Sequence, residues 1–218
     1  LAPSVDYFNL MAYDFHGTWE KTTGHQSAFT GDPNGYDVQT AINLYLAAGV
    51  KPGKIVMGAP LYTRAWGGVA DGGDGGYLEA TSGAAPGTFE AGVYDYKDLL
   101  NQVKDPNSGW KLYWDDNAQA AYLYNPAKGL FSSFETPTSI AQKSEWAQAM
   151  GLGGMMFWDI TNDAVGSPES LVNTAYSSWV LGKSLAAIHA NSGLPTEVII
   201  GGDGKISALP VTTTKTTV

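Results

Sequence analysis

Apolar residues gather into three short, nearly unbroken runs along the chain: residues 5–13 (VDYFNLMAY), 54–61 (KIVMGAPL) and 153–159 (GGMMFWD). Runs of this length, bounded by turn residues, predict parallel strands covered on both faces. Between and after them the spacing becomes helical. Residues 37–48 read as a helix with Asp37 as N-cap and Gly49 as its stop. Residues 139–150 read as a second helix ending at Gly151. Residues 167–179 read as a third, with Pro168 at an early position where proline is tolerated. Strand and helix alternate, which is the grammar of a repeated β/α fold.

The rhythm breaks once, over residues 63–138. Connections in β/α units run about 2–6 residues, so this stretch predicts an inserted subdomain. It opens with the glycine-rich WGGVADGGDGGY, continues into a short helix over residues 95–103, and then offers KLYWDD, AAYLYN and GLFSSFE as antiparallel strands separated by turn residues. Residues 139–181 return to the main fold with the last strand and its helices. The stretch 182–218 has little periodicity and ends in the Thr-rich PVTTTKTTV, which reads as a linker-like tail.

Hydrophobic residues make up 44% of the 218 and charged ones 15%, so a packed core is expected. A formal charge of −9 disfavours nucleic acid or an anionic membrane as partner. An uncharged polysaccharide meets no such penalty. With no cysteine and three scattered histidines, thiol chemistry is excluded, and neither a metal site nor a cofactor is expected. The opening residues lack the charged head and apolar run of a signal peptide and enter directly into a strand. Three parallel strands leave edges unpaired where a closed barrel needs about eight. The expectation is therefore of a missing N-terminal segment of the same protein.

In a β/α barrel the reactive face lies at the C-terminal ends of the strands. Those ends carry Met11, Tyr13 and Asp14, then Tyr62, Arg64 and Trp66, then Trp158 and Asp159. Alternation along the first run gives Tyr7, Asn9, Met11 and Tyr13 a shared direction. Aromatic faces suit the C–H faces of pyranose rings, and carboxylate, hydroxyl and guanidinium groups suit a sugar's polar edge. Each of these residues has a plainer reading. Tyr13 and Asp14 fit hydrogen-bonded core positions, Trp158 fits barrel packing, and Arg64 fits an ion pair with Asp14 or Asp159. Trp66, Trp110, Trp114 and Tyr122 either line the cleft or pack the insertion, and Glu135 is ambiguous in the same way. His16 and His25 read as hydrogen-bonding loop residues, and DGGDGG as a solvated turn or a cation loop.

Met11-Ala12-Tyr13-Asp14 with the following DFHGTWEKTTGHQSAF, then GAPLYTRAW, then PGTFEAGVYDYKDL with AAYLYNPAKGLFSSFETPTSIAQK, then GLGGMMFWDITND stand in the order and spacing of glycoside hydrolase family 18 chitinases, which the chain resembles over residues 5–179. The resemblance implies the C-terminal portion of a TIM (β/α)8 barrel with a small α+β insertion. Residues 1–62 would be strands six and seven with their helix. It implies a secreted enzyme that cleaves chitin or chito-oligosaccharides with retention, using the substrate's acetamide as nucleophile. By position, Tyr13 would hold the acetamide and Asp14 would tune the region electrostatically. Met11 and Trp158 would underlie the cleaved sugar, Trp19 would stack on the sugar across the scissile bond, and Tyr62 and Arg64 would contact sugars beside it.

One part of the pattern is missing. The family's general acid is a Glu closing Asp-x-x-Asp-x-Asp-x-Glu, and no such motif stands in this chain. Asp71, Asp74 and Glu79 echo it only superficially, within the glycine-rich insertion. Losing a general acid costs about 10²–10⁴-fold in rate, so the chain alone is expected to be inactive. A catalytically inactive chitin-binding lectin of the same fold is the alternative; the identity of the acid position separates the two.

Overall fold

The computed structural model describes residues 2–201. In chain order its elements are β1 (Phe8–Leu10), α1 (Val38–Ala47), β2 (Ile55–Pro60), β3 (Arg64–Gly67), β4 (Gly83–Ala84), α2 (Tyr96–Lys104) and β5 (Lys111–Asp115). They continue with β6 (Ala120–Asn125), β7 (Leu130–Ser133), α3 (Pro137–Ala149), β8 (Gly154–Trp158), α4 (Leu171–Trp179), α5 (Leu185–Asn191) and β9 (Val198–Ile200). They form two sheets.

The first sheet is wholly parallel, in the order β1-β2-β8, with Leu10 opposite Met57 and Pro60 opposite Trp158. Its central strand is the buried one: Ile55, Met57 and Ala59 are inaccessible, Ile55 and Met57 packed with Val38 and Ile42 of α1 and Ala147 of α3, and Ala59 in the core shared with the insertion. Helix α1 starts where the sequence said it would, because the Asp37 carboxylate accepts the Thr40 N–H at 2.7 Å. Helix α3 is held by a capping box between Thr136 and Ser139. The outer strands are less well covered. Asn9 on β1 and the flanking Tyr7 and Met11 all face solvent, and β8 is half-buried over most of its length. The prediction of strands covered on both faces therefore holds for β2 alone.

The second sheet runs β4-β3-β7-β6-β5-β9, antiparallel except for the β5–β9 pair. One face receives α2, whose Leu99, Leu100 and Val103 meet Leu112, Trp114 and Leu123. The other carries a cross-strand row of rings, Tyr113–Tyr122–Phe131–Trp66, with centroids 5.1, 5.2 and 5.7 Å apart. The glycine-rich loop closes over this row. Tyr124 donates to the Val69 carbonyl at 2.9 Å and Tyr122 to that of Asp74. Gly75, at φ 73°, lies so close that a Cβ would come 2.7 Å from the Tyr113 ring.

Two expectations need correction. The third helix begins at Leu171, not at Ser167. Ser170 caps it by accepting the Asn173 N–H, and the Asp163 carboxylate accepts the Leu171 N–H at 2.9 Å, which leaves Pro168 in the preceding turn. The tail is not linker-like where it is described: α5 packs on α3 and α4, and β9 adds a strand to the second sheet. The Thr-rich PVTTTKTTV lies outside the described residues.

Lys143 is a deeply buried charge. From α3 it donates to the Ser27 carbonyl at 2.7 Å, to the Ser27 hydroxyl at 2.9 Å and to the Glu135 carboxylate, which also accepts from Ser139. Removing one partner of a buried ion pair strands the other charge, so Lys143→Met should lower the unfolding free energy by about 3–5 kcal/mol. The double change Lys143→Met with Glu135→Leu should recover most of that loss in urea denaturation.

Candidate active site

The parallel register brings the C-terminal ends of β2 and β8 level, Pro60 opposite Trp158, while β1 ends earlier, opposite Met57. The Leu61 N–H donates to the Trp158 carbonyl at 2.7 Å, joining the ends of β2 and β8. Past β1 the chain turns sharply, Ala12 N–H to Leu10 C=O at 2.9 Å. This turn ends the alternation expected for the first run. Met11 stays 68% exposed while Tyr13 is buried.

Asp14 follows in the left-handed region at φ 59°, a conformation that aspartate tolerates better than most residues and that recurs at functional sites. Its carboxylate is gripped from one side. Arg64 donates through Nε at 2.8 Å to Oδ1 and through Nη2 at 3.0 Å to Oδ2, and the Tyr62 hydroxyl donates to Oδ2 at 2.7 Å. Arg64 heads β3, so the second sheet supplies the cation that fixes an anion of the first.

Burial and this clamp together set the ionisation of the neighbours. Burial and then the Asp14 charge push the Tyr13 phenol above its ordinary range. Burial, followed by the hydrogen bond to Asp14, drives the Tyr62 phenol far up. The bond to Asp14 raises Arg64. Tyr13 and Tyr62 meet edge to face at 6.2 Å, and the Arg64 guanidinium lies 5.2 Å from the centroids of both Tyr62 and Trp19. Gly58 on β2 makes room for this arrangement. A Cβ there would come 2.6 Å from the Leu10 carbonyl oxygen and 2.8 Å from the Tyr13 ring.

A cleft of about 480 Å³ opens over the clamp, within the range of small-molecule sites. Asp14, Tyr62, Arg64 and Trp158 line it, and Trp158 is 59% exposed. Tyr13 sits behind them, Met11 lies outside this lining, and Trp19 joins through Arg64. Arg64 takes the ion-pair role with Asp14 that the sequence left open. Asp159 and Asn162 also line the cleft, with Asp159 capping the turn that follows β8. The insertion contributes Thr88, Phe89, Glu90, Val93 and Asp95 to the rim. Phe89 is 92% exposed, and sequence reasoning missed it because a lone aromatic in a loop carries no periodic signal.

The other candidates fall elsewhere. Trp66, Trp110, Trp114 and Tyr122 are buried in the insertion, and Glu135 is committed to Lys143. His25 is buried against Asp115 at 3.0 Å, and His16 bridges two carboxylates. Asp71, Asp74 and Glu79 remain in the glycine-rich loop, away from the cleft. Among the described residues no group of three or more His, Asp or Glu side chains is placed to hold a metal.

Two outcomes are expected. Gly58→Ala should cost about 1–3 kcal/mol in stability, as overpacking does, and a crystal structure of the variant should show the Tyr13 ring displaced. Tyrosines raised in the fold ionise first in the unfolded chain. Their contribution to stability is complete below the unfolded value near 10 and is lost as pH climbs beyond it. Unfolding midpoints should therefore fall above about pH 10, and less steeply in Tyr62→Phe.

Comparison with known proteins identifies the family. The sequence profile of the glycosyl hydrolases family 18 matches residues 1–163. Chitinase A1 of Niallia circulans is 37% identical over 173 residues, covering 75% of this chain and 25% of its own length. Chitinase ChiA74 from Bacillus thuringiensis superposes with a TM-score of 0.74 at 34% identity, covering 83% of this chain and 32% of that one. A family GH18 chitinase from Cycas revoluta, solved in complex with (GlcNAc)3, gives a TM-score of 0.70 at 30% identity, covering 82% of this chain and 48% of that one. The chain thus spans between 25% and 48% of the length of these three proteins. With the profile running through β1, β2, the insertion and β8, the chain belongs to glycosyl hydrolase family 18, and its fold is the C-terminal portion of a TIM barrel carrying an α+β insertion.

Proposed function

We propose that this chain supplies the substrate-binding, acetamide-orienting part of a retaining chitinase, and that a segment outside it completes the barrel and brings the general acid. The observation that carries the reading is the clamped Asp14, held left-handed by Arg64 and Tyr62 between the buried Tyr13 phenol and the exposed Trp158 indole.

Each residue then has a task. Trp158 and Met11 offer apolar surface to the sugar whose bond is cleaved, and Trp19 stacks on the sugar across that bond. Tyr13, kept protonated, donates to the acetamide oxygen and steers it under the anomeric carbon. That oxygen attacks carbon, the glycosidic bond breaks, and the leaving oxygen takes a proton from the acid outside this chain. Asp14 stays beside the developing positive charge and stabilises it. Tyr62 and Arg64 keep Asp14 in place and present donors to the sugar's polar edge. The exposed faces and unpaired edges of β1 and β8 support a partner segment that closes the barrel. Chitin is an extracellular polymer, so the site of action is outside the cell. Among the described residues no helix is long and apolar enough to cross a membrane.

Chitohexaose should quench tryptophan fluorescence of the purified chain, and Trp158→Ala should weaken binding by about tenfold or more, as loss of an aromatic anchor does. The chain alone should release no fluorophore from a fluorogenic chito-oligosaccharide. In a protein that includes the upstream segment, Tyr13→Phe should lower kcat by about 10²–10³-fold, the typical cost of one oriented donor. Undiminished binding by Trp158→Ala would overturn the assignment.

A further inference from the structure

Trp19 is 60% exposed, yet its ring is not free to swing. It rides on a tight turn in which the Glu20 N–H donates to the Gly17 carbonyl at 2.9 Å. The ring folds back over Gly17, where a Cβ would fall 2.2 Å from the indole, and its face meets the Arg64 guanidinium at 5.2 Å. Turns of exposed loops lack such constancy unless something anchors them.

The anchor is His16. Its Nδ1 faces Glu20 Oε2 at 2.9 Å and its Nε2 faces Asp32 Oδ2 at 3.0 Å. Glu20 Oε2 also accepts the Gly17 N–H at 3.3 Å, so one carboxylate oxygen gathers both ends of the turn. Asp32 is itself fixed: its Oδ1 accepts the N–H groups of Asn34 and Tyr36 at 2.8 and 3.1 Å. Burial pushes Asp32 up, but the bonds from His16 and those two backbone groups outweigh it and leave the carboxyl below its usual range. The imidazole packs on Gly24, where a Cβ would come 2.8 Å from its ring, and meets Tyr36 edge to face at 6.1 Å. A ring with both nitrogens protonated donates to both carboxylates at once, whereas a neutral ring donates to one.

We propose that His16 is a positioning residue for Trp19: its bridge between Glu20 and Asp32 fixes the turn that holds the indole against Arg64 at the cleft. The proposal rests on the reading of Trp19 as a sugar-stacking residue. His16 touches no sugar and acts only through the turn.

A double-mutant cycle on the purified protein tests it, with chitohexaose affinity read by titration calorimetry. His16→Ala should weaken binding about two- to tenfold, the scale of one aromatic contact, with enthalpy of unfolding and melting temperature close to the parent's. Trp19→Ala should weaken it by at least as much, and adding His16→Ala to Trp19→Ala should cause no further loss. His16→Gln, which keeps a donor toward one carboxylate, should recover part of the affinity, and it replaces His16→Ala in the cycle if the alanine variant does not fold. Parent-like binding by the His16 variant, or a loss that persists undiminished when Trp19 is absent, would overturn the proposal. If Trp19→Ala binds like the parent while Trp158→Ala does not, the stacking role of Trp19 fails and that of His16 with it. If neither tryptophan matters, the sugar-binding reading of the cleft fails as a whole.

Discussion

The grip on Asp14 is the constraint around which the rest of the site is organised. A carboxylate on a left-handed residue at a strand end would relax into other rotamers if nothing opposed it, and its charge would be dispersed by water. Arg64 and Tyr62 approach from the second sheet and the end of β2 and leave the other flank open toward the cleft. A two-pronged guanidinium fixes direction as well as charge, which a lysine would not. Burial first and that fixed negative charge second keep the Tyr13 phenol neutral, and the hydrogen bond to the same charge sustains the Arg64 cation.

One loop makes many of the polar contacts between the two sheets. Between β1 and α1 the chain reaches into the insertion repeatedly. Thr23 bonds Gly76, His25 pairs with Asp115, the Gln26 N–H donates to Ser133, and the Phe29 N–H donates to the Ala118 carbonyl. Gln26 also donates to the Tyr62 carbonyl at 2.6 Å, so the loop supports the clamp from below. The insertion is thus a wall of the cleft held by these polar contacts and by the apolar core it shares with Ala59 and Leu61.

Much of this could be read in the sequence, for reasons that differ residue by residue. The three apolar runs sit on a shared sheet because burial and β-propensity agree there, most plainly for Ile55, Met57 and Ala59. Asp37 announced α1 because its carboxylate has one obvious donor to satisfy. Pro168 misled, since the cap that starts α4 lies at Ser170 and depends on Asp163, a partner that only the fold brings near. The tail misled for another reason: a seven-residue helix and a three-residue strand are too short to impose a period and are stabilised by what they pack on. Trp66, Trp114 and Tyr122 had the right chemistry for a sugar cleft, but the second sheet needed a core of its own and used them. His16 read as a bland loop histidine because both its carboxylates are set by the path of the chain.

Strand β9 gives the architecture a mechanical polarity. The chain leaves the barrel side at α4, crosses through α5 and reaches the outer edge of the insertion's sheet, with Ile199 beside Trp114 and the Asp116 N–H bonded to Ile200. Tension applied from beyond Gly201 is therefore taken up by the β5–β9 ladder, in shear, before any of it reaches β8 and the floor of the cleft. The candidate cleft sits upstream of a built-in strain relief.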